Sequence, residues 1–470
     1  MPIQMTPRQV GPQGKIVVMG AFAALVMSAA SAQAQEASPD EEPALEASAD
    51  SLESVEPVFR LSEGSPFRFE LSGYGELRFA GHDFGPDPTR PGGSREDLRA
   101  VFEQSRFVTK IDGEMPYGFG LEAEIEFEHG GTGSALELEW EEFGEYEHEV
   151  EKGGEVLVEE LYVSKTFFKE RLKLKLGRFY VAVGQLSSNY RPTDYLAGRR
   201  SEAETTVLPA VWDEMGLSAE LDMGPVALTA QAVNGLDSTG FSSQRWVASG
   251  HQGRFELIRA SDLAGVFRAD WTIIEGVELG GSVYYGNTTR NRPKPDFAAA
   301  CADGSEGRER QVAPCGYVKA PLLIVDAHLN LHLGPVRAQG MVMWGQLENA
   351  TEISRLNKRL SNNLGTLRSE VADQALATWG EVGLNVAPWL GLSSAHRLEP
   401  FVRLDHYNTM FRTAPEIAAN PRFERTLWTG GVSYTLLNAM VLKLDLSHRT
   451  FGNTDLHKEN TLELMAGFVF

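Results

Sequence analysis

Thr461-Leu462-Glu463-Leu464-Met465-Ala466-Gly467-Phe468-Val469-Phe470 closes the chain, and its alternation decides the fold. Side chains along a strand point to opposite faces in turn. Leu462, Leu464, Ala466, Phe468 and Phe470 therefore share one face, and Thr461, Glu463, Met465, Gly467 and Val469 share the other. The first face is wholly apolar; the second holds a carboxylate among small and polar groups. A strand of this kind suits a wall with lipid on one side and water on the other.

A terminal aromatic on such a strand is a familiar mark of bacterial outer-membrane proteins, and the first 34 residues agree with that setting. Arg8 and Lys15 precede an apolar and small-residue run from Ile16 to Ala30, followed by Ala32-Gln33-Ala34. This order reads as a secretory signal, with cleavage expected after Ala34. The run is short and Ala/Ser-rich for a helical anchor, which needs roughly 20 apolar residues. Residues 35–66 come next, where Glu36, Asp40, Glu41, Glu42, Glu46, Asp50, Glu53, Glu56 and Glu63 face only Arg60, with Pro39, Pro43 and Pro57 among them. Too few apolar groups are present to offset the entropy of ordering, so a disordered periplasmic segment is expected.

From residue 67 to 470 sixteen strand-like segments can be marked, at 67–80, 101–113, 117–128, 156–167, 171–182, 213–222, 225–234, 263–273, 276–287, 321–333, 335–347, 376–387, 397–408, 424–436, 439–450 and 460–470. Their connections alternate. Tight ones fall at Glu114-Met115-Pro116, Phe168-Lys169-Glu170, Met223-Gly224, Ile274-Glu275, Gly334, Pro388 to His396 and Leu437-Asn438; wide ones span 81–100, 129–155, 183–212, 235–262, 288–320, 348–375, 409–423 and 451–459. The expected architecture is all-β: a transmembrane, antiparallel, up-and-down β-barrel of sixteen strands with short periplasmic turns and long extracellular loops. Closure follows from the solvent, because unpaired backbone groups at a sheet edge have no partner in hydrocarbon. A mean hydropathy of -0.24 is compatible with this, since a barrel strand offers lipid only every second residue. At sixteen strands the interior is expected to be too wide for wall side chains to fill, leaving an aqueous channel.

Parity assigns the inward groups. They include the basic Arg68, Arg78, Lys173, Lys175, Arg268, Arg337, Arg403 and Lys443, and the acidic Glu70, Glu76, Glu122, Glu124, Glu126, Glu160, Asp270, Asp326, Glu381, Asp405 and Asp445. Facing walls of opposite sign would set up a transverse field; the plainer alternative is that each group is simply solvated. The third long loop, 183–212, is the candidate for narrowing the passage through Tyr190, Arg191, Asp194, Arg199, Arg200, Glu202 and Glu204, with a loop lying outside over the mouth as the alternative. Charges at such a narrowing select ions and small polar solutes by sign.

Other chemistry is thin. A net charge of -22 argues against nucleic acid as a partner. Hydrolase, zinc-protease and phosphate-loop motifs are absent from the sequence, and Ser447-His448, being adjacent on a strand, point apart. No enzymatic activity, cofactor or metal is expected. Glu137, Glu139, Glu141, Glu142, Glu145, Glu147, Glu149, Glu151 and Glu155 make loop 129–155 acidic, but without the spacing of a calcium loop; a solvated rim near the bilayer and its lipopolysaccharide is the better account. Cys301 and Cys315 most simply form a disulfide, which in the chain-entropy view is worth roughly 3 kcal/mol for so short a loop. Free thiols or a metal site are the weaker alternatives, since no His lies between the two cysteines.

The stretch from Leu176 to Asp237 resembles the phosphate-selective porin family and its broader porin relatives. The resemblance rests on Leu176-Gly177-Arg178-Phe179, Arg191-Pro192, Thr206-Val207-Leu208-Pro209 with Trp212 and Gly216, Val233-Asn234-Gly235-Leu236-Asp237 with Phe241, and Gly281-Ser282-Val283-Tyr284-Tyr285-Gly286. It implies a homotrimeric channel for small, often anionic solutes, with the third loop folded inward. This chain departs from that pattern in being acidic, with inward faces of mixed sign where the family has rows of Arg and Lys. A general diffusion channel, a substrate-specific anion channel using Arg191, Arg199 and Arg200, and a structural or adhesive barrel with a plugged interior follow as expectations.

Overall fold

The computed structural model describes residues 68–85, 97–131, 154–185, 190–252, 258–291, 298–299, 316–360 and 369–470. The signal at 1–34, the acidic segment 35–66, most of the acidic loop (132–153), and Cys301 and Cys315 with their expected disulfide lie outside those residues.

Sixteen strands close into one barrel. In chain order they are β1 (Arg68–Gly85), β2 (Asp97–Met115), β3 (Phe119–Glu128), β4 (Glu155–Phe167), β5 (Leu172–Tyr180), β6 (Asp213–Asp222), β7 (Val226–Asn234), β8 (Leu263–Ile274), β9 (Val277–Asn287), β10 (Pro321–Leu333), β11 (Val336–Leu347), β12 (Gln374–Leu384), β13 (His396–Arg412), β14 (Glu424–Leu436), β15 (Met440–Phe451) and β16 (Glu459–Val469). Each pairs antiparallel with its sequence neighbours, and β16 returns to β1. Phe470 completes the seam: its N–H and C=O both bond the backbone of Gly73 at 2.9 Å. The sheet of sixteen strands is closed, which is what hydrocarbon requires.

The two faces are those that parity assigns. Leu161, Leu176, Leu217, Phe267, Val342, Val402 and Leu446 stand exposed on the outside, while Glu76, Glu122, Arg268, Asp326 and Lys443 are buried within. A soluble domain would have the reverse. At the tight turns the backbone is left-handed at Phe168, Lys169 and Glu170 (φ 55°, 57° and 70°) and at Leu437 and Asn438 (both 53°), the twist that narrow hairpins need.

The structure departs from the sequence reading in three places. The strands β1, β2 and β13 run several residues past their expected limits, because the hydrogen-bond ladder continues beyond the lipid belt, where alternation of hydrophobicity has no reason to persist. Met115 belongs to β2, and the turn after it is Pro116–Gly118, with Tyr117 at φ 67°. A helix, Ala350–Leu360, occupies a wide connection that showed no strand pattern; it buries Ala350, Ile353, Leu356 and Asn357 at helical spacing.

The interior departs further. At the long-loop end of β5 to β13 many of the inward residues are apolar: Phe179, Val233, Val266, Tyr284, Ile324, Met343 and Ala377 pack with Leu236, Trp246 and Val247 of the loop after β7 and with Ile353 and Leu356 of the helix. The expectation of an interior too wide to fill holds for the wall alone. Here loops supply the filling, and each large apolar side chain so buried adds about 1.5–3 kcal/mol.

Candidate functional site

Between β5 and β6 the chain leaves the wall at Val181 and returns at Trp212, and the Val181 N–H bonds the Trp212 carbonyl at 2.8 Å to form a neck. The described residues between them, 182–185 and 190–211, turn inside the barrel. A short helix, α1 (Glu202–Val207), ends this excursion, capped by Ser201, whose hydroxyl accepts the Glu204 N–H.

The loop takes many of its partners from the wall. Asp326 on β10 accepts the Gly184 N–H at 3.1 Å, and Arg268 on β8 donates to the Gly184 carbonyl at 2.5 Å. Glu381 on β12 accepts the Leu196 N–H at 2.9 Å. Lys443 on β15 donates to the carbonyls of Tyr195 and Ala197 at 2.7 and 3.0 Å, and Asp445 accepts the Gly198 N–H at 2.6 Å. Arg403 on β13 reaches the Arg199 carbonyl at 2.8 Å, and Asp405 accepts from the Ser201 hydroxyl and the Ala203 N–H. Buried backbone groups without a partner are costly, so these bonds fix the course of the loop.

Each sequence-identified side chain of the loop can now be placed. Tyr190 sits between Tyr74 and Tyr180, with ring centroids 6.0 and 5.8 Å away, and Arg191 lies over the Tyr190 ring. Asp194 accepts the Arg191 N–H at 2.9 Å. Arg199 donates to Glu463 at 2.5 Å and lies 3.2 Å from Glu103, and Arg200 donates to the Ala210 carbonyl at 2.9 Å. Glu202 accepts from the Tyr407 hydroxyl at 2.6 Å and from Arg449. Glu204 accepts from Trp379 Nε1 at 2.8 Å and from the Gln185 N–H at 2.6 Å. Burial by itself would raise the Glu202 carboxyl; the guanidiniums of Arg449 and Arg425 outweigh it and hold the group below its ordinary value.

The sequence-identified wall residues divide into two sets. Arg268, Asp326, Arg337, Glu381, Arg403, Asp405, Lys443 and Asp445 are buried, and all but Arg337 bond the loop directly. Lys173 and Lys175 remain partly open on the opposite wall, Lys173 near the Tyr162 hydroxyl and Lys175 paired with Glu220 at 2.6 Å. Arg268 and Asp270 pair with each other at 2.7 Å beside His328, which bridges Asp270 and Asp326 at 2.9 and 2.7 Å. Opposite signs are thus neighbours within a wall, as again in Lys110 with Glu122 at 2.6 Å and Arg106 with Glu126, rather than segregated to facing walls. Close pairing offsets part of the cost of covering these charges. Gln339, Trp379, Tyr407 and Arg449 also hold the loop, as does Gln185 of the loop itself through the Leu329 and Gly340 carbonyls; none was singled out in the sequence, and inward parity was the only signal the four wall residues carried.

Two cavities flank Tyr190 between the loop and the β1–β5 wall. One small cavity is lined by Arg106, Tyr180, Arg200 and Trp212; the other by Tyr74, Lys110, Glu124 and Arg191. The first lies toward the long loops and the second toward the short turns.

No family model matches this sequence, and no curated protein matches it. Among solved structures, the chain is similar to a loop L8 deletion mutant of OmpT, an outer membrane protein of Vibrio cholerae, at 10% identity and a TM-score of 0.49, over 86% of this chain and 100% of that one. It is also similar to an anion-selective porin from Comamonas acidovorans (9% identity, TM-score 0.47, 86% and 100% covered) and to the outer membrane channel DcaP of Acinetobacter baumannii (12%, 0.46, 87% and 99%). At such identities and scores these likenesses carry nothing about solute or partner, and the fold rests on the strand register itself.

Proposed function

We propose that this chain is a porin of a Gram-negative outer membrane, a passive diffusion channel for ions and small polar solutes, assembled as a homotrimer as its resemblance to porins implies. The observation that carries this reading is a closed barrel, oily outside and charged within, whose third long loop turns inward, is held mainly by β8 to β15, and leaves small cavities beside Tyr190. Solutes pass between the loop and β1–β5, beside Tyr190, with Lys173 and Lys175 toward the short-turn side. Arg268, Asp326, Glu381, Arg403, Asp405, Lys443 and Asp445 act by holding the loop. Purified protein in planar bilayers should insert in discrete steps whose conductance grows in proportion to salt; insertion without conductance would overturn the proposal.

A second reading is favoured by one feature. Arg106, Lys110, Arg191 and Arg200 line the two cavities with only Glu124 as a carboxylate among the lining residues. In a substrate-specific anion channel this row would hold a phosphate-like solute. Current carried by chloride would then saturate and be blocked by low concentrations of phosphate, whereas the general channel shows neither effect.

A further inference from the structure

The loop after β7 goes beyond a cover at the rim. Trp246 is fully buried, its indole N–H bonds the Ala372 carbonyl at 3.1 Å, and its ring lies on Gly345 of β11, where an added Cβ would come within 2.0 Å of it. Asn357 of the Ala350–Leu360 helix donates to the Ser238 carbonyl at 3.0 Å, Ser243 N–H donates to Ser369 at 3.2 Å, and the Thr409 hydroxyl donates to the Ser243 carbonyl. The segment is therefore bonded at three points to the connection between β11 and β12 and at one to β13, over an apolar floor, the cluster made by inward residues of β7 to β13.

On the other side of the mouth no such floor exists among the described residues. There the inward groups are charged and keep contact with water: Glu103 and Arg449 are about a quarter exposed and Arg199 nearly half. Water reaches one half of the cross-section and is excluded from the other.

We infer that segment 235–252, anchored by Trp246, is a second barrier inside the barrel besides the third loop: it shuts the half of the mouth over β5–β13 and makes solutes enter off-axis, beside β14–β16 and β1–β2. The aperture of the channel is then set by the seat of one indole on one glycine. Gly345 is what permits that seat, since any side chain there occupies the space of the ring.

The inference rests on the channel reading for its effect on current, but the position of the barrier can be tested without it. In a Cys301→Ser/Cys315→Ser background, single cysteines at Glu103 and at Met343, which is fully buried beneath the barrier, are exposed on intact cells to a membrane-impermeant maleimide. Glu103→Cys should label and Met343→Cys should not. Adding Trp246→Ala, or Gly345→Ala as an independent route from the wall, should bring Met343→Cys to the labelling of Glu103→Cys and raise single-channel conductance. Retained mobility of the unheated barrel on detergent gels identifies which variant has folded. Labelling of Met343→Cys with Trp246 and Gly345 intact, or none with either folded variant, overturns the inference. A labelling switch in a protein that conducts nothing would remove the channel reading and leave the barrier.

Discussion

At the scale of the residue, the most informative groups are inward charges that touch the loop backbone. Lys443 is almost wholly buried, donates to two loop carbonyls, and lies 3.7 Å from the centre of the Tyr195 ring. Lys443→Met keeps the bulk and removes the donors, so it should destabilise the docked loop by about 1–3 kcal/mol for each carbonyl left unpaired. A lower denaturation midpoint and a larger, noisier conductance are expected; unchanged values of both would contradict the clamp. Glu202 predicts a dependence on pH. Its carboxyl is lowered on folding, so its contribution is complete above the ordinary glutamate value of about 4.3 and is lost as pH falls through the lower folded value. Conductance should be steady through this group from neutral pH down to that range and rise in stronger acid, and Glu202→Gln should lack the acid-side rise. An identical acid profile in the two proteins would show that the carboxylate does not hold α1. Parity made Lys443 legible as inward and nothing more: the sequence has no means of saying that Tyr195 and Ala197 lie against it, because the two are joined only after the loop turns in.

At the scale of the element, the third loop and the wall behind it fit through missing side chains. A Cβ on Gly383 of β12 would come within 2.8 Å of Leu196, and one on Gly467 of β16 within 2.7 Å of Pro192. Gly383→Val should leave the barrel intact, since β12 tolerates a β-branched residue, and push the loop toward the open side, lowering conductance through the remaining gap. Normal mobility on unheated detergent gels with reduced current would bear this out; wild-type current would place the loop elsewhere. The sixteen strands were readable because each repeats the same two-residue rhythm over enough positions to fix both its existence and its faces. The helix at Ala350–Leu360 was not, since one short amphipathic turn pattern in a long polar connection competes with many chance matches. The apolar ends of the strands carried a signal that the alternation obscured: Pro321-Leu322-Leu323-Ile324-Val325 is apolar on both faces, as a strand covered on both sides must be.

At the scale of the molecule, closure depends on the last residue. Phe470 pairs with Gly73 through both backbone groups and places its ring 6.2 Å from those of Phe107 and Phe468 on the outer face. Deleting it should lower the yield of heat-modifiable barrel after refolding without altering the conductance of the molecules that do fold; full yield would mean that the β1–β16 seam closes without it. The sequence by itself determined the barrel, its strand number, its faces and the side on which the long loops lie, because these follow from a local rhythm and from the demand of hydrocarbon that every backbone group be paired. Only the tertiary structure decided which inward charges stay exposed and which are spent on holding a loop, and where the interior is packed with apolar side chains. Those outcomes depend on contacts between residues more than a hundred positions apart, such as Gly198 with Asp445 and Trp246 with Ala372, and no local pattern records how far a loop will turn inward once the wall around it has closed.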